Sequence, residues 1–107
     1  GADGVELDVQ LSRDGQLVIC HDFNVRRMTG HSGRVHSMTL AQLRSLDAGY
    51  RFGPAFRGTR IPTLGEVFAA LRPQTLVDIE IKANPIWHPP AIEEKLAAFL
   101  RERRLAS

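Results

Sequence analysis

Two stretches of this sequence carry acidic side chains two residues apart. Glu6 and Asp8 lie in Val5-Glu6-Leu7-Asp8-Val9-Gln10-Leu11, and Asp78 and Glu80 lie in Leu76-Val77-Asp78-Ile79-Glu80-Ile81-Lys82. Carboxylates at that spacing share one face of an extended strand. Two such strands brought together would gather Glu6, Asp8 and Glu80 into a set of hard oxygen ligands suited to Mg²⁺ or Ca²⁺. Lys82, on the Glu80 face, could pair with a carboxylate or with a substrate phosphate. His21, followed by Asp22, ends the short apolar stretch Leu17-Val18-Ile19-Cys20. An imidazole with a near-neutral pKa can give a proton to a leaving oxygen or take one from water. Each signal also has an ordinary reading. On a half-exposed sheet the acidic faces would simply be solvated, and a single histidine before a loop is more often structural than catalytic.

The elements that must position these residues are legible as patterns. Val5, Leu7, Val9 and Leu11 alternate with the polar face of the first strand. Asp14-Gly15 then signals a tight turn, so the strand ending at Cys20 pairs with the first as a hairpin or a bent pair. Residues 23–38 read as a basic loop. Thr39-Leu40-Ala41-Gln42 and Thr63-Leu64-Gly65-Glu66 fit capping boxes. The first opens a short helix ending near Ala48-Gly49; the second opens a helix to about Leu71, stopped near Pro73. The glycines and proline of residues 50–58 argue for an irregular ordered loop. After the third strand, a loop with Pro85, Pro89 and Pro90 leads to a helix from about Ala91 to Arg104. Ile92, Leu96, Phe99 and Leu100 form its apolar stripe, and Lys95, Arg101, Arg103 and Arg104 its solvated face.

Strands alternating with helices predict an α/β fold with a parallel sheet. Both faces of a strand are normally covered in such a fold. The apolar faces would pack under helices, and the acidic faces would point into a barrel interior or a crevice. Carboxylates there are costly unless they are paired or hold a metal.

The 107 residues suffice for one domain at most. An apolar fraction of 43% with 24% charged residues is that of an ordinary globular protein and excludes a disordered or collagen-like chain. The single cysteine, Cys20, excludes a disulfide framework and a zinc pair, and is expected to be a buried structural thiol. A net charge of +2 is too small to argue for a nucleic-acid partner. No apolar run approaches the roughly 20 residues of a membrane span. The chain begins with Gly1 and runs directly into a strand pattern, and it ends directly after a helical one. It is expected to be a piece of a longer protein.

Several short motifs occur in a set order: Glu6-Leu7-Asp8, His21-Asp22, Thr29 to Gly33, Leu46-Asp47-Ala48-Gly49, Phe52-Gly53, Phe56-Arg57-Gly58, Ile61-Pro62-Thr63-Leu64 and Ile79-Glu80-Ile81-Lys82. In that order they resemble the glycerophosphodiester phosphodiesterase family. The resemblance runs to about residue 84. It implies a (β/α)8 TIM barrel, an architecture of roughly 250 residues with its catalytic groups at the C-terminal ends of strands. It implies hydrolysis of glycerophosphodiesters to sn-glycerol 3-phosphate and an alcohol, with a bound divalent cation, Mg²⁺ or Ca²⁺. Glu6, Asp8 and Glu80 would be the metal ligands, His21 one of two general acid/base histidines, and Lys82 a contact to phosphate or metal.

The family's His-Arg pair on the first strand, and the Glu-Asn pair after it, are not among these residues. The chain is therefore expected to be a partial domain over residues 1–107, roughly strands 2–3 with their helices. The first and later strands would be missing, and the fragment inactive alone. Arg26, Arg27 and Arg34 would steer an anionic phosphodiester or form a solvated loop. Phe52 and Phe56 would line a substrate pocket or pin their loop to the barrel rim. Trp87-His88 would reach the alcohol moiety. The expected partner is a small phosphodiester, with no nucleic acid and no transmembrane segment. Two alternatives are a related phospholipase-type barrel and a degenerate barrel acting as a binding module. Leu46 to Gly49 and Ile61 to Leu64 favour the phosphodiesterase over the first. The presence of Glu6, Asp8, His21 and Glu80 argues against the second.

Overall fold

A computed structural model describes residues 4–49, 58–72, 74–82 and 91–106. Period-two alternation produces strand β1 (Gly4–Leu11), which turns back into β2 (Leu17–Ile19). The two pair antiparallel with Val9 opposite Ile19 and Leu11 opposite Leu17, so the hairpin expectation holds. Gly15, at φ +80, takes the left-handed position of the turn and donates its N–H to Ser12 O at 3.0 Å. Buried Ser12 closes the turn from inside, accepting from Gln16 N at 3.0 Å and donating to Asp14 Oδ1 at 2.5 Å.

The connecting segment is more ordered than a loop. It contains a single helical turn, α1 (Arg26–Thr29), and a 3-10 turn (Val35–Ser37). Val25, Val35 and Met38 supply the reason, since they form a second apolar cluster with Val18, Cys20, Leu43 and Ile61, on the face of β2 that Val18 shares with Gln10 of β1. Both expected capping boxes form. Thr39 opens α2 (Leu40–Arg44) and Thr63 opens α3 (Leu64–Ala70), each hydroxyl accepting from the N3 amide while the N3 side chain returns to the cap amide. Helix α2 is shorter than its pattern predicts. Asp47 accepts from Gly49 N at 2.9 Å and from Gly58 N at 3.1 Å, which commits Leu46-Asp47-Ala48-Gly49 to a turn. Arg44 of α2 pairs with Glu66 of α3, and this contact with the Thr63 amide pulls the Glu66 carboxyl down to about 2.

Strand β3 (Leu76–Ile81) joins the other edge of β1, giving the order β2-β1-β3. β1 and β3 are parallel, with Glu6 opposite Asp78 and Asp8 opposite Glu80, and Lys82 N extends the ladder to Val9 O at 2.9 Å. The sheet is therefore mixed rather than wholly parallel, because the short turn at Gly15 can only return antiparallel.

Helix α4 (Ala91–Ala106) packs with α3 on the apolar face of the sheet. Val9, Leu11, Leu64, Phe68, Ile92 and Leu96 are the buried core of that layer. One expectation about α4 needs correction, and the solvated face, though exposed as expected at Lys95 and Arg103, also makes contacts. At 100° per residue, Leu100 lies about 80° around from Ile92, and it is 40% exposed rather than part of the stripe. Arg103 lies only about 20° from Ile92. Instead of facing solvent alone, its guanidinium stacks 4.9 Å from the Phe68 ring and donates to Phe68 O at 3.0 Å. Lys95 likewise donates to Gly15 O at 2.8 Å and fastens α4 to the hairpin turn. Among the described residues no helix is long and apolar enough to cross a membrane. Phe52, Phe56, Pro85, Trp87, His88, Pro89 and Pro90 lie outside the described residues.

Candidate active site

Parallel register converts two i, i+2 patterns into one cluster. Because β1 and β3 run side by side, the acidic pairs of each strand stand abreast on the same face of the sheet. Glu6, Asp8 and Glu80 each offer a carboxylate oxygen within 4.8 Å of the others. Glu6 and Glu80 are exposed and Asp8 is half-buried. Asp8 Oδ1 is shut off from solvent and accepts no hydrogen bond from the described residues. A sequestered carboxylate oxygen without a donor is costly. Like charges abreast on neighbouring strands add repulsion. An oxygen-only donor set with one sequestered, unsatisfied oxygen fits a hard divalent cation. Asp78 extends the acidic face beside Glu6 but is not part of the three-residue cluster. Alternation puts Lys82, half-buried, on the Glu80 side just past the end of β3.

His21 follows directly on Cys20, whose amide donates to Asp8 O at 3.0 Å. The histidine segment is thus tied to the acidic strand through the backbone. The ring is largely exposed, and its Nδ1 lies 3.0 Å from Asp22 Oδ1. A carboxylate oxygen accepts, so Nδ1 carries the hydrogen and Nε2 is the nitrogen left for other partners. Arg27 grips the same carboxylate at both oxygens, Nε to Oδ2 at 2.9 Å and Nη2 to Oδ1 at 3.0 Å. The His21 hydrogen bond, with the Arg27 charge behind it, holds the Asp22 carboxyl below the usual carboxylate range. Cys20 is a buried thiol, as expected. Burial pushes its pKa up to about 11, which makes it a poor nucleophile.

Arg26 opens α1 on the surface and, with Asp22, Asn24 and Arg27, lines a shallow concavity beside His21. The structure therefore splits the basic loop. Arg27 is committed to Asp22, while Arg26 is exposed at the rim. Sequence reasoning missed the roles of Asp22 and Arg27 around His21; the signal was the His21-Asp22 dipeptide followed five residues later by a cation. It also missed Gln10. Alternation puts Gln10 on the acidic face, yet the residue is buried and its amide is directed to the backbone around His21.

The model of the Glycerophosphoryl diester phosphodiesterase family matches residues 1–105. A glycerophosphodiester phosphodiesterase of Caldanaerobacter subterraneus subsp. tengcongensis is 50% identical over 103 residues, which are 95% of this chain and 42% of that protein. Glycerophosphodiester phosphodiesterase 1 of Mus musculus is 40% identical over 92% of this chain and 31% of its own length. The crystal structure of glycerophosphodiester phosphodiesterase from Agrobacterium tumefaciens superposes with a TM-score of 0.80 at 38% identity, covering 95% of this chain and 41% of that one. An Oleispira antarctica phosphodiesterase, solved in complex with the product sn-glycerol-3-phosphate, matches 73% of this chain at 38% identity and a TM-score of 0.68. The chain thus spans about two fifths of the length of the first of these relatives.

Proposed function

The chain belongs to the glycerophosphoryl diester phosphodiesterase family, and from that premise we propose that the protein hydrolyses glycerophosphodiesters to sn-glycerol 3-phosphate and an alcohol. The observation that carries the reading is the Glu6, Asp8 and Glu80 cluster, with its oxygens within 4.8 Å and Asp8 Oδ1 unsatisfied. These three residues would hold a divalent cation, and the all-oxygen donor set favours Mg²⁺ or Ca²⁺. Bound there, the cation would supply Lewis-acid polarisation of a phosphoryl oxygen.

The chain's own residues do the rest. Lys82 and Arg26 offer positive charge to the phosphate from the strand end and from the rim. His21, its Nδ1 hydrogen held by Asp22, exchanges a proton at Nε2. In the hydrolysis, a water gives up a proton as its oxygen forms a bond to phosphorus, the phosphorus–alkoxide bond breaks, and the departing alkoxide takes up a proton, so that no net proton is consumed in forming the alcohol. Phe52 and Trp87 would contact the alcohol portion at the rim. The substrate class is a small phosphodiester, in keeping with the Oleispira antarctica relative's complex with sn-glycerol-3-phosphate. Spanning two fifths of such relatives, the 107 residues alone are expected to be inactive.

Isothermal calorimetry with Mg²⁺ and Ca²⁺ tests the reading on the full-length protein, with a parallel assay for released sn-glycerol 3-phosphate. Wild type is expected to bind a divalent cation and turn over, and a Glu6→Gln/Glu80→Gln variant to do neither. Equal binding and turnover by both proteins would overturn the assignment.

A further inference from the structure

Gln10 occupies the third polar position of β1, after Glu6 and Asp8, but its environment is the reverse of theirs. It is 4% exposed, and its amide nitrogen has both hydrogens engaged. Nε2 donates to Cys20 O at 2.7 Å and to Asp22 O at 2.8 Å. These two carbonyls lie immediately before and after His21. The Asp22 carbonyl also accepts from Cys20 Sγ at 3.3 Å, and the Cys20 amide donates to Asp8 O at 3.0 Å. The backbone on both sides of the histidine is therefore pinned to β1, and the only side chain of β1 that spans both sides is Gln10.

The chemistry of this fork is selective. One nitrogen must carry two hydrogens, directed at two acceptors that bracket a residue, from a buried site that tolerates no net charge. The glutamine amide does this. Glutamate has no hydrogen to give, methionine has no donor, and asparagine is one methylene too short. The His21 ring is largely exposed, so apart from Asp22 little holds it directly and its aim must come from the backbone.

We infer that Gln10 is a positioning residue for His21, a two-pronged clamp on the flanking carbonyls that sets where the imidazole points relative to the acidic cluster. The inference rests on the acid/base role of His21 proposed above.

The test is a double-mutant cycle in the full-length protein, with Gln10→Met, His21→Gln and the pair. Activity is read as sn-glycerol 3-phosphate release, and Mg²⁺ affinity and thermal melting are measured alongside. Gln10→Met is expected to lower kcat about 10–100-fold, the cost of a small misplacement of a reacting group, while KM and Mg²⁺ affinity hold. In the His21→Gln background the same change should cost nothing further, because its effect passes through the histidine. Wild-type kcat in Gln10→Met, or losses that simply add in the pair, would overturn the clamp. Undiminished kcat in His21→Gln alone would instead overturn the reading of His21, and the clamp's purpose with it. If Gln10→Met fails to fold, Gln10→Asn keeps a soluble amide with too short a reach and should show the same split between kcat and KM.

Discussion

On β1 and β3 three carboxylates stand within 4.8 Å of one another with one oxygen unsatisfied, whereas at the end of β2 the Asp22 carboxylate is met on both oxygens by His21 and Arg27. Both regions are acidic and both lie on the polar side of the sheet, yet their electrostatics are opposite. The strand cluster concentrates negative charge that the described residues do not neutralise. The segment around His21 is closed on itself, with both Asp22 carboxylate oxygens partnered and its backbone tied down by Gln10 and Cys20. A cluster left short of positive charge is suited to recruiting a cation. A segment whose carboxylate and backbone are held in this way is suited to holding one ring still. The division matches what the proposed phosphodiester hydrolysis would require: charge neutralisation in one place and a preorganised proton-transfer group in another.

The largest expected effect is at the strand cluster. The Glu6→Gln/Glu80→Gln variant should weaken divalent binding beyond the roughly 10–100-fold that loss of an outer-shell partner costs, measured by calorimetry. A smaller loss would make the strand cluster as self-sufficient as the turn. Next in size is Asp22→Asn. It removes the charge that Arg27 grips and should lower kcat about 10–100-fold through misorientation of His21, with Mg²⁺ affinity unchanged in the same titration. A loss of metal affinity would show that the two regions are one site rather than two.

A smaller effect sharpens the contrast through stability. Without divalent cation, Glu80→Gln relieves like-charge repulsion against Asp8 and should stabilise the fold by about 0.2–1 kcal/mol. With saturating cation the same change should lower the melting temperature relative to wild type, because bound ligand stabilises only the form that binds it. Melting curves in chelator and in excess Mg²⁺ read both signs, and identical shifts in the two would count against a cation site.

The smallest effect is in acid. The Asp22 carboxyl is held below its ordinary value, so its contribution to stability is present above the unfolded value of about 3.9. It is lost as pH falls through the lower folded value. Asp22→Asn should therefore flatten the acid limb of a melting-temperature profile below about pH 4 and leave the neutral region's slope unchanged. An unaltered acid limb would mean that the Arg27 grip contributes nothing to folding.

Much of the site's raw material is local and so is legible in the sequence. Alternation placed Glu6, Asp8 and Glu80 on strand faces, Asp14-Gly15 marked the hairpin turn, and both threonine capping boxes located helix starts. These signals depend on neighbours within a few residues. What escaped depends on residues far apart in the chain. The pattern of α4 assigned Lys95 and Arg103 to solvent, where both are exposed, but it did not show that Lys95 also reaches Gly15 and Arg103 also reaches Phe68. Both partners belong to elements that nothing in the helix itself reveals. The segment after β2 read as loop because its valines show no periodicity, although they are buried against β2. Gln10 read as one more polar strand residue because alternation reports a face and not what covers it.

The amino-acid sequence by itself determined which side chains share a face, where the chain turns, and, through its ordered motifs, the family. Only the tertiary structure decided that the two acidic faces come together. That followed from the parallel register of β1 and β3, in which Asp8 stands opposite Glu80, and a shift of one residue would have turned one set of carboxylates to the helix side. Register is set by how Val9, Leu11 and Ile81 pack beneath Ile92 and Leu96, a collective property of the core. The same holds for the turn at His21. Its dipeptide is in the sequence, but its aim is set by an amide eleven residues earlier on a neighbouring strand, because hydrogen bonds to buried carbonyls are made where the fold brings donors within reach.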